Sequence, residues 1–341
     1  MPEAILALVP VLFFLGILVL MDSFKLVSVR TVVRAIVIGA LAAVVCSIVN
    51  GALLDVSAAS PTAFKRYAAP LIEELAKAAW VGWLIRRQRV GFLVDAAIVG
   101  FAVGTGFALV ENVEYLRALT TPNLLVWVVR GFGTAVLHGA TTAIFAILTK
   151  SLVDRHPETR GLDLMPGLLV AVAIHSAYNH FFLPPLASTA LLLALLLPLL
   201  IVAFGRSERA TREWLGLGMD TDVELLQSIR SGRIAETRVG AYLRALTARF
   251  PGEVVVDMLC LLRIHLELSI RAQGLLLARE AGLPVAVGPD VRANLDKLRY
   301  LEKGIGPTGL LAMKPIQRQS SLWQIHVLAE AGESRPVIPS S

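Results

Sequence analysis

Long apolar runs separated by short polar breaks fill the front of the chain, and seven of them approach the length of a membrane crossing. A hydrocarbon core of about 30 Å takes roughly 20 apolar residues as a helix. The windows run from Ala4 to Met21, Thr31 to Leu54, Ala68 to Ile85, Phe92 to Val110, Gly131 to Thr149, Met165 to Leu183 and Leu186 to Phe204. The first follows Met1, Pro2 and Glu3 without a basic stretch or a small-residue cleavage site, so it reads as a retained span. The segment Asn123 to Arg130 is short, aromatic and basic at its end, which suits an interfacial position before the fifth span.

Beyond Gly205 the period changes. Asp222 to Ile229, Ala235 to Phe250, Glu253 to Glu280 and Asp290 to Lys303 carry apolar residues three and four apart with Gly and Pro between them, the pattern of amphipathic helices. The last residues, Ala331 to Ser341, are rich in Pro and Ser and read as a disordered tail. The predicted fold class is all-α. A polytopic bundle of about seven spans (1–204) is followed by a small cytoplasmic helical domain (205–330) and the tail (331–341).

Composition sharpens this division. Only 25 of the first 204 residues are charged, against 33 of the last 137, so the front is membrane-like and the back soluble-like. The net charge of +6 is too mild and too evenly spread for a nucleic-acid stripe. Cys46 and Cys260 form neither a disulfide framework nor a metal-finger spacing. Basic residues collect in alternate connections: Lys25, Arg30 and Arg34; Arg86, Arg87 and Arg89; Lys150, Arg155 and Arg160; Arg206, Arg209 and Arg212. The other connections hold only Lys65 and Arg66, then Arg117 and Arg130, then none at Pro184-Pro185. By the positive-inside rule the N-terminus lies outside and the tail domain in the cytoplasm.

Ionisable groups within a span cost about 2.5 to 3.5 kcal/mol each on insertion scales, so each needs an explanation. Glu73 and Glu74 stand four and three residues before Lys77, within helical reach of its ammonium. That spacing suits a tuned carboxylate base, and equally an ion pair snorkelling from a helix end. Glu111, followed by Asn112, ends the fourth window and suits a metal ligand, a histidine-orienting group or an acidic cap. Asp95 lies near the other end of that window and suits snorkelling or pairing with an Arg. His138 has Thr142 one turn on, and His175 has Asn179 one turn on. Two imidazoles and a carboxylate with an open fourth position form a usual catalytic zinc set, leaving another carboxylate as base. Regular helices would leave the histidines about 5 to 10 Å deeper than the glutamates, a gap for tilts or kinks to close. His265 and His326 are isolated and read as ordinary histidines. H-E-x-x-H, G-x-S-x-G and an intramembrane G-x-G-D are all absent from the sequence.

In order along successive spans, Glu73-Glu74-x-x-Lys77, Phe107-x-x-x-Glu111-Asn112, His138 and His175-x-x-x-Asn179 resemble the PrsW family of intramembrane metalloproteases. That family lies in the wider group of CAAX prenyl endopeptidases and bacteriocin-immunity membrane proteins. The resemblance covers Ala68 to Asn179 in its motifs and the multispan region in its layout. It implies an endopeptidase acting on a membrane-embedded or juxtamembrane protein near the outer face, with zinc as cofactor. His138, His175 and Glu111 would hold the metal, while Glu73, Glu74 and Asn179 would be the catalytic set. The CAAX relatives usually show His where this chain has Glu111. The tail domain lies outside the motifs and is left for a cytoplasmic protein partner or self-association. Two rivals use the same polar residues: a proton-coupled permease with a Glu-His-Lys relay, and a scaffold acting through its tail domain. The permease would favour paired halves with broken helices, and no internal repeat is visible.

Overall fold

Ser28 opens the second helix by accepting the backbone N–H of Thr31 on its hydroxyl at 3.2 Å, the usual way a helix start satisfies an orphan donor. The computed structural model describes residues 2–22, 27–119, 123–155, 162–283, 288–316 and 328, with the side chains of 210, 212–218 and 289 excepted. Lys25, Arg160, His326 and the segment 331–341 lie outside these. The described residues form helices and no strands.

The chain divides into two compact units at Glu208 and Arg209. In the first, α1 (Pro2–Leu20) and α2 (Val29–Val56) precede a short turn, α3 (Pro61–Ala63), and a π-helical turn at Phe64–Ala68 that runs into α4 (Ala69–Arg86). Then come α5 (Leu93–Ala118), α6 (Leu124–Val128), a second π-helical stretch at Val129–Ala135, α7 (Val136–Arg155), α8 (Leu164–Asn179) and the start of α9 (Pro185–Arg230). Helix α5 is the centre of the bundle, with Phe101, Ala102 and Val103 fully buried. Its glycines allow the close approach of its neighbours. A Cβ on Gly104 would lie 2.1 Å from the His138 carbonyl oxygen of α7, and one on Gly106 1.9 Å from the Ile36 carbonyl oxygen of α2. Small residues that let helix backbones meet are the usual device of membrane bundles.

Five helical segments are long and apolar enough to cross a membrane: Pro2–Leu20, Val29–Val56, Leu93–Ala118, Leu124–Arg155 and Pro185–Arg209. Seven windows were predicted. Helix α4 falls outside because its 18 residues include Glu73, Glu74, Lys77 and Arg86, and α8 because it has only 16 residues. Two expectations are corrected. Asn123 to Arg130 is not a separate interfacial piece, because α6 continues through the π stretch into α7 and Trp127 is buried. Asp95 does not snorkel and, among the described residues, has no Arg partner: it is buried and accepts the backbone N–H groups of Gly91 and Phe92, both at 3.0 Å, as a cap of α5.

In the second unit, Gly232 (φ +74°) turns the chain after α9 into a 3₁₀ turn at Arg233–Glu236, followed by α10 (Arg238–Leu246), α11 (Gly252–Glu280) and α12 (Pro289–Met313). Helix α12 extends past the predicted end at Lys303, broken only at Gly306 (φ 70°). Met258, Leu261 and Leu268 of α11 form its core with Leu243, Leu246 and Leu298. His265 is a core residue, and burial pushes its pKa down to about 4.

Candidate metal centre

Four helices supply the polar residues of one cluster. On α4, Glu74 and Lys77 are fully buried, and the Lys77 ammonium donates to Glu74 Oε1 at 2.6 Å. The same oxygen accepts from Thr141 Oγ1 of α7 at 3.0 Å and from His175 Nδ1 of α8 at 2.8 Å. Lys77 also lies 3.2 Å from His138 Nδ1 of α7. An ammonium only donates, so Nδ1 accepts and the proton of the neutral imidazole sits on Nε2, where it donates to Glu111 Oε2 of α5 at 2.8 Å. The His138 and His175 rings stand edge to face with centroids 4.9 Å apart.

The two π-helical turns lie just ahead of these residues. The first precedes Glu73 and Glu74, and two of its carbonyls anchor α8. Ser176 Oγ donates to the Arg66 carbonyl at 2.6 Å and Asn179 Nδ2 to the Lys65 carbonyl at 3.0 Å, fixing the helix end that carries His175. The second precedes His138 and carries Arg130. Single wide turns of this kind re-aim a helix face and occur often at functional sites. They accompany the closing of the depth gap that regular helices would leave.

Glu73 points to the other side of the cluster from Glu74. Its Oε1 accepts from Asn50 Nδ2 of α2 at 3.2 Å, and its Oε2 lies 3.8 Å from His175 Nε2. One ligand atom each from Glu73, His138 and His175 falls within 4.8 Å of the others. Glu73, Glu111, His175 and Asn179 line a cavity of about 490 Å³ together with Cys46, Asn50 and Arg130. Glu74, Lys77 and His138 are buried behind that wall.

All six residues singled out from the sequence therefore converge, though not equally. Glu73, Glu74, Glu111, His138 and His175 form one bonded network, whereas Asn179 lines the same cavity and bonds to the Lys65 carbonyl. The snorkelling alternative for Lys77 does not fit an ammonium that is 0% exposed. Asn50, Thr141 and Arg130 were not anticipated. Arg130 precedes His138 by eight residues, a spacing that suggests a shared helix face only once Asn123 to Arg130 is known to be helical.

The donor chemistry fits a divalent metal. Two imidazoles and carboxylates are donors that such a metal takes, and with Glu73, Glu74 and Glu111 all ionised they would exceed Lys77 and Arg130 by one negative charge. A buried excess charge is costly unless compensated. Moreover, His175 Nδ1 is held by a carboxylate while its Nε2 is directed towards Glu73, the carboxylate–histidine arrangement that presents a ligand nitrogen to a metal.

The sequence model of one protein family, described as PrsW family intramembrane metalloprotease, matches residues 27–204. No curated protein and no solved structure matches the chain.

Proposed function

The chain belongs to the PrsW family of intramembrane metalloproteases, and from that premise we propose that it is a zinc-dependent endopeptidase whose site is the cluster around His138 and His175. The observation that carries this reading is the pairing of two imidazoles from different helices with carboxylates on a cavity wall. His138, His175 and Glu111 would hold the metal through the two Nε2 atoms and the Glu111 carboxylate. A bound zinc ion supplies Lewis acidity, polarising a carbonyl and bringing the pKa of water to about 7.

The chain's own residues do the rest. Glu74 keeps the proton of His175 on Nδ1, leaving Nε2 as the ligand nitrogen. For His138 to bind through Nε2, the proton that Nε2 now donates to Glu111 would move to Nδ1 and Lys77 would turn from that ring to Glu74 alone. Asn179 ties α8 to Lys65 and holds His175, one turn back, in place. Glu74 is too committed to act as a base, since one oxygen already serves Lys77, Thr141 and His175. Glu73 borders the cavity, and its contacts there are an amide and an imidazole rather than a fixed cation, which leaves it the carboxylate open to a water. It takes the proton of the attacking water and returns it to the leaving nitrogen.

The substrate in this proposal is a membrane-embedded or juxtamembrane protein cut near the outer face. Helices α4 and α8 also cross the bilayer, giving seven spans with the N-terminus outside. The unit from Arg209 onward is a cytoplasmic domain for a protein partner or self-association. The distribution of Lys and Arg among the connections supports this orientation.

A second reading rests on the 4.8 Å grouping, in which Glu73 is itself a ligand and Glu111 is left as the base. Metal content and cleavage of a transmembrane substrate in detergent test both. His138→Ala and His175→Ala should lose metal and cleavage while the protein still inserts. Glu73→Gln should lose cleavage and keep metal, whereas metal loss in that variant would favour the second reading. Full proteolysis by the two histidine variants would return the cluster to packing or transport.

A further inference from the structure

Three cations line the cavity, Lys65, Arg66 and Arg130, and Arg130 is the one that stands beside Glu111. Its side chain is 12% exposed, and the guanidinium is held from three sides. Nε donates to Asn112 Oδ1 at 2.9 Å, and Asn112 is itself anchored by donating to the Ala7 carbonyl at 2.6 Å. The face of the guanidinium lies on the Tyr115 ring, 3.5 Å from its centroid. Nη2 lies 3.4 Å from Glu111 Oε2 but forms no hydrogen bond there or elsewhere, although it is buried. That same Oε2 accepts from His138 Nε2, so a single carboxylate oxygen separates the guanidinium from the candidate ligand imidazole.

A buried N–H without an acceptor is costly, and such groups are rare unless a partner arrives during function. Arg130 also stands at a junction. Together with Tyr115, Thr134 and Phe181, it lines both the site cavity and a second, mainly apolar cavity of about 470 Å³ bounded by Leu125 and Pro185. A chain reaching from the apolar cavity into the site passes the guanidinium.

Resting on the proteolytic reading above, we infer that Arg130 is a catalytic residue that donates from Nη2 to the scissile carbonyl oxygen and to the oxyanion that develops there. When water attacks, the new C–O bond forms and the carbonyl π pair moves onto that oxygen, while Glu73 takes the water proton. When the C–N bond breaks, the pair returns to re-form the carbonyl and the nitrogen leaves with the proton from Glu73. A prepositioned donor of this kind accounts for about 100- to 1,000-fold in turnover where it has been removed from other enzymes. Asn112 and Tyr115 hold the fork in place, so a small turn of the guanidinium is enough to bring the buried Nη2 to the substrate oxygen.

The test uses the full-length protein in detergent with two matched peptide inhibitors. One carries a phosphinate at the scissile position and presents a tetrahedral anion; the other carries a reduced amide and has no such oxygen. Arg130→Gln should bind the phosphinate about 100-fold more weakly than wild type and the reduced amide equally well. Metal content should be unchanged, and turnover should fall with little change in KM. Arg130→Lys, which keeps a charge beside Glu111, should recover part of the phosphinate affinity. Equal weakening towards both peptides, or loss of metal, would make Arg130 a structural anchor of Glu111 and overturn the inference. So would unaltered phosphinate binding by Arg130→Gln in a protein whose wild type cleaves and binds it, and in that case the proteolytic reading stands. A wild type that neither holds metal nor cleaves takes both down together.

Discussion

Lys77 is fully buried and has two polar partners, Glu74 and His138. Helical spacing in the sequence offers it Glu73 and Glu74 about equally, and only the packing of α7 and α8 against α4 shows that Glu74 is the partner. The residue types of the site were thus legible, while the division of labour between adjacent glutamates was not. Breaking a buried ion pair by removing one partner costs about 3 to 5 kcal/mol, because the other charge stays buried and uncompensated. Lys77→Met should therefore lower the thermal unfolding temperature in detergent by several degrees. It should also reduce metal content, since Glu74, which holds His175 Nδ1, loses its cation. Unchanged stability and metal binding would show that Glu74 is neutral or otherwise compensated.

At the scale of helices, the site depends on how closely α5 and α7 approach. The sequence shows Gly100, Gly104 and Gly106 and so a close-packing face, but not which helix each glycine meets. The partner emerges from the structure, where Gly104 lies directly over the His138 backbone. Gly104→Ala places a methyl group 2.1 Å from the His138 carbonyl oxygen, which neither helix accommodates without moving. Overpacking of a tight contact costs about 1 to 3 kcal/mol, and here the displaced residue is a candidate ligand. The expected result is a protein that still inserts, with weakened metal affinity and cleavage. Gly16→Ala, at a position with nothing near its added methyl, serves as the control. Equal effects of the two substitutions would separate the α5–α7 contact from the site. The depth gap had a different cause. Counting along regular helices cannot register the π-helical turns at Phe64–Ala68 and Val129–Ala135, because nothing in either segment separates a π turn from an α turn by residue type.

Across the whole molecule, the apolar windows located the helices of the membrane part well, because long uncharged runs have few alternatives to a helix in lipid. They overcounted the segments that qualify as spans by length and hydropathy, since a helix that carries the chemistry, α4, gives up apolar residues to do so. The outward faces of α1, α2 and α9 expose Phe13, Leu20, Leu41, Ile48, Leu195 and Ile201, an apolar belt suited to lipid tails. Reporter fusions after Gly205 and within 57–62 should report opposite sides of the membrane; the same side for both would contradict the seven-span orientation. The account as a whole stands on metal held by imidazoles at the centre of this bundle. X-ray absorption at the zinc edge of the purified protein tests that claim most directly. The prediction is about one zinc per chain with only nitrogen and oxygen neighbours at about 2.0 to 2.2 Å and the outer scattering of two imidazoles. Zinc bound through sulfur at about 2.3 Å, which Cys46 on the same cavity wall would supply, or a cleaving protein without metal, would contradict it.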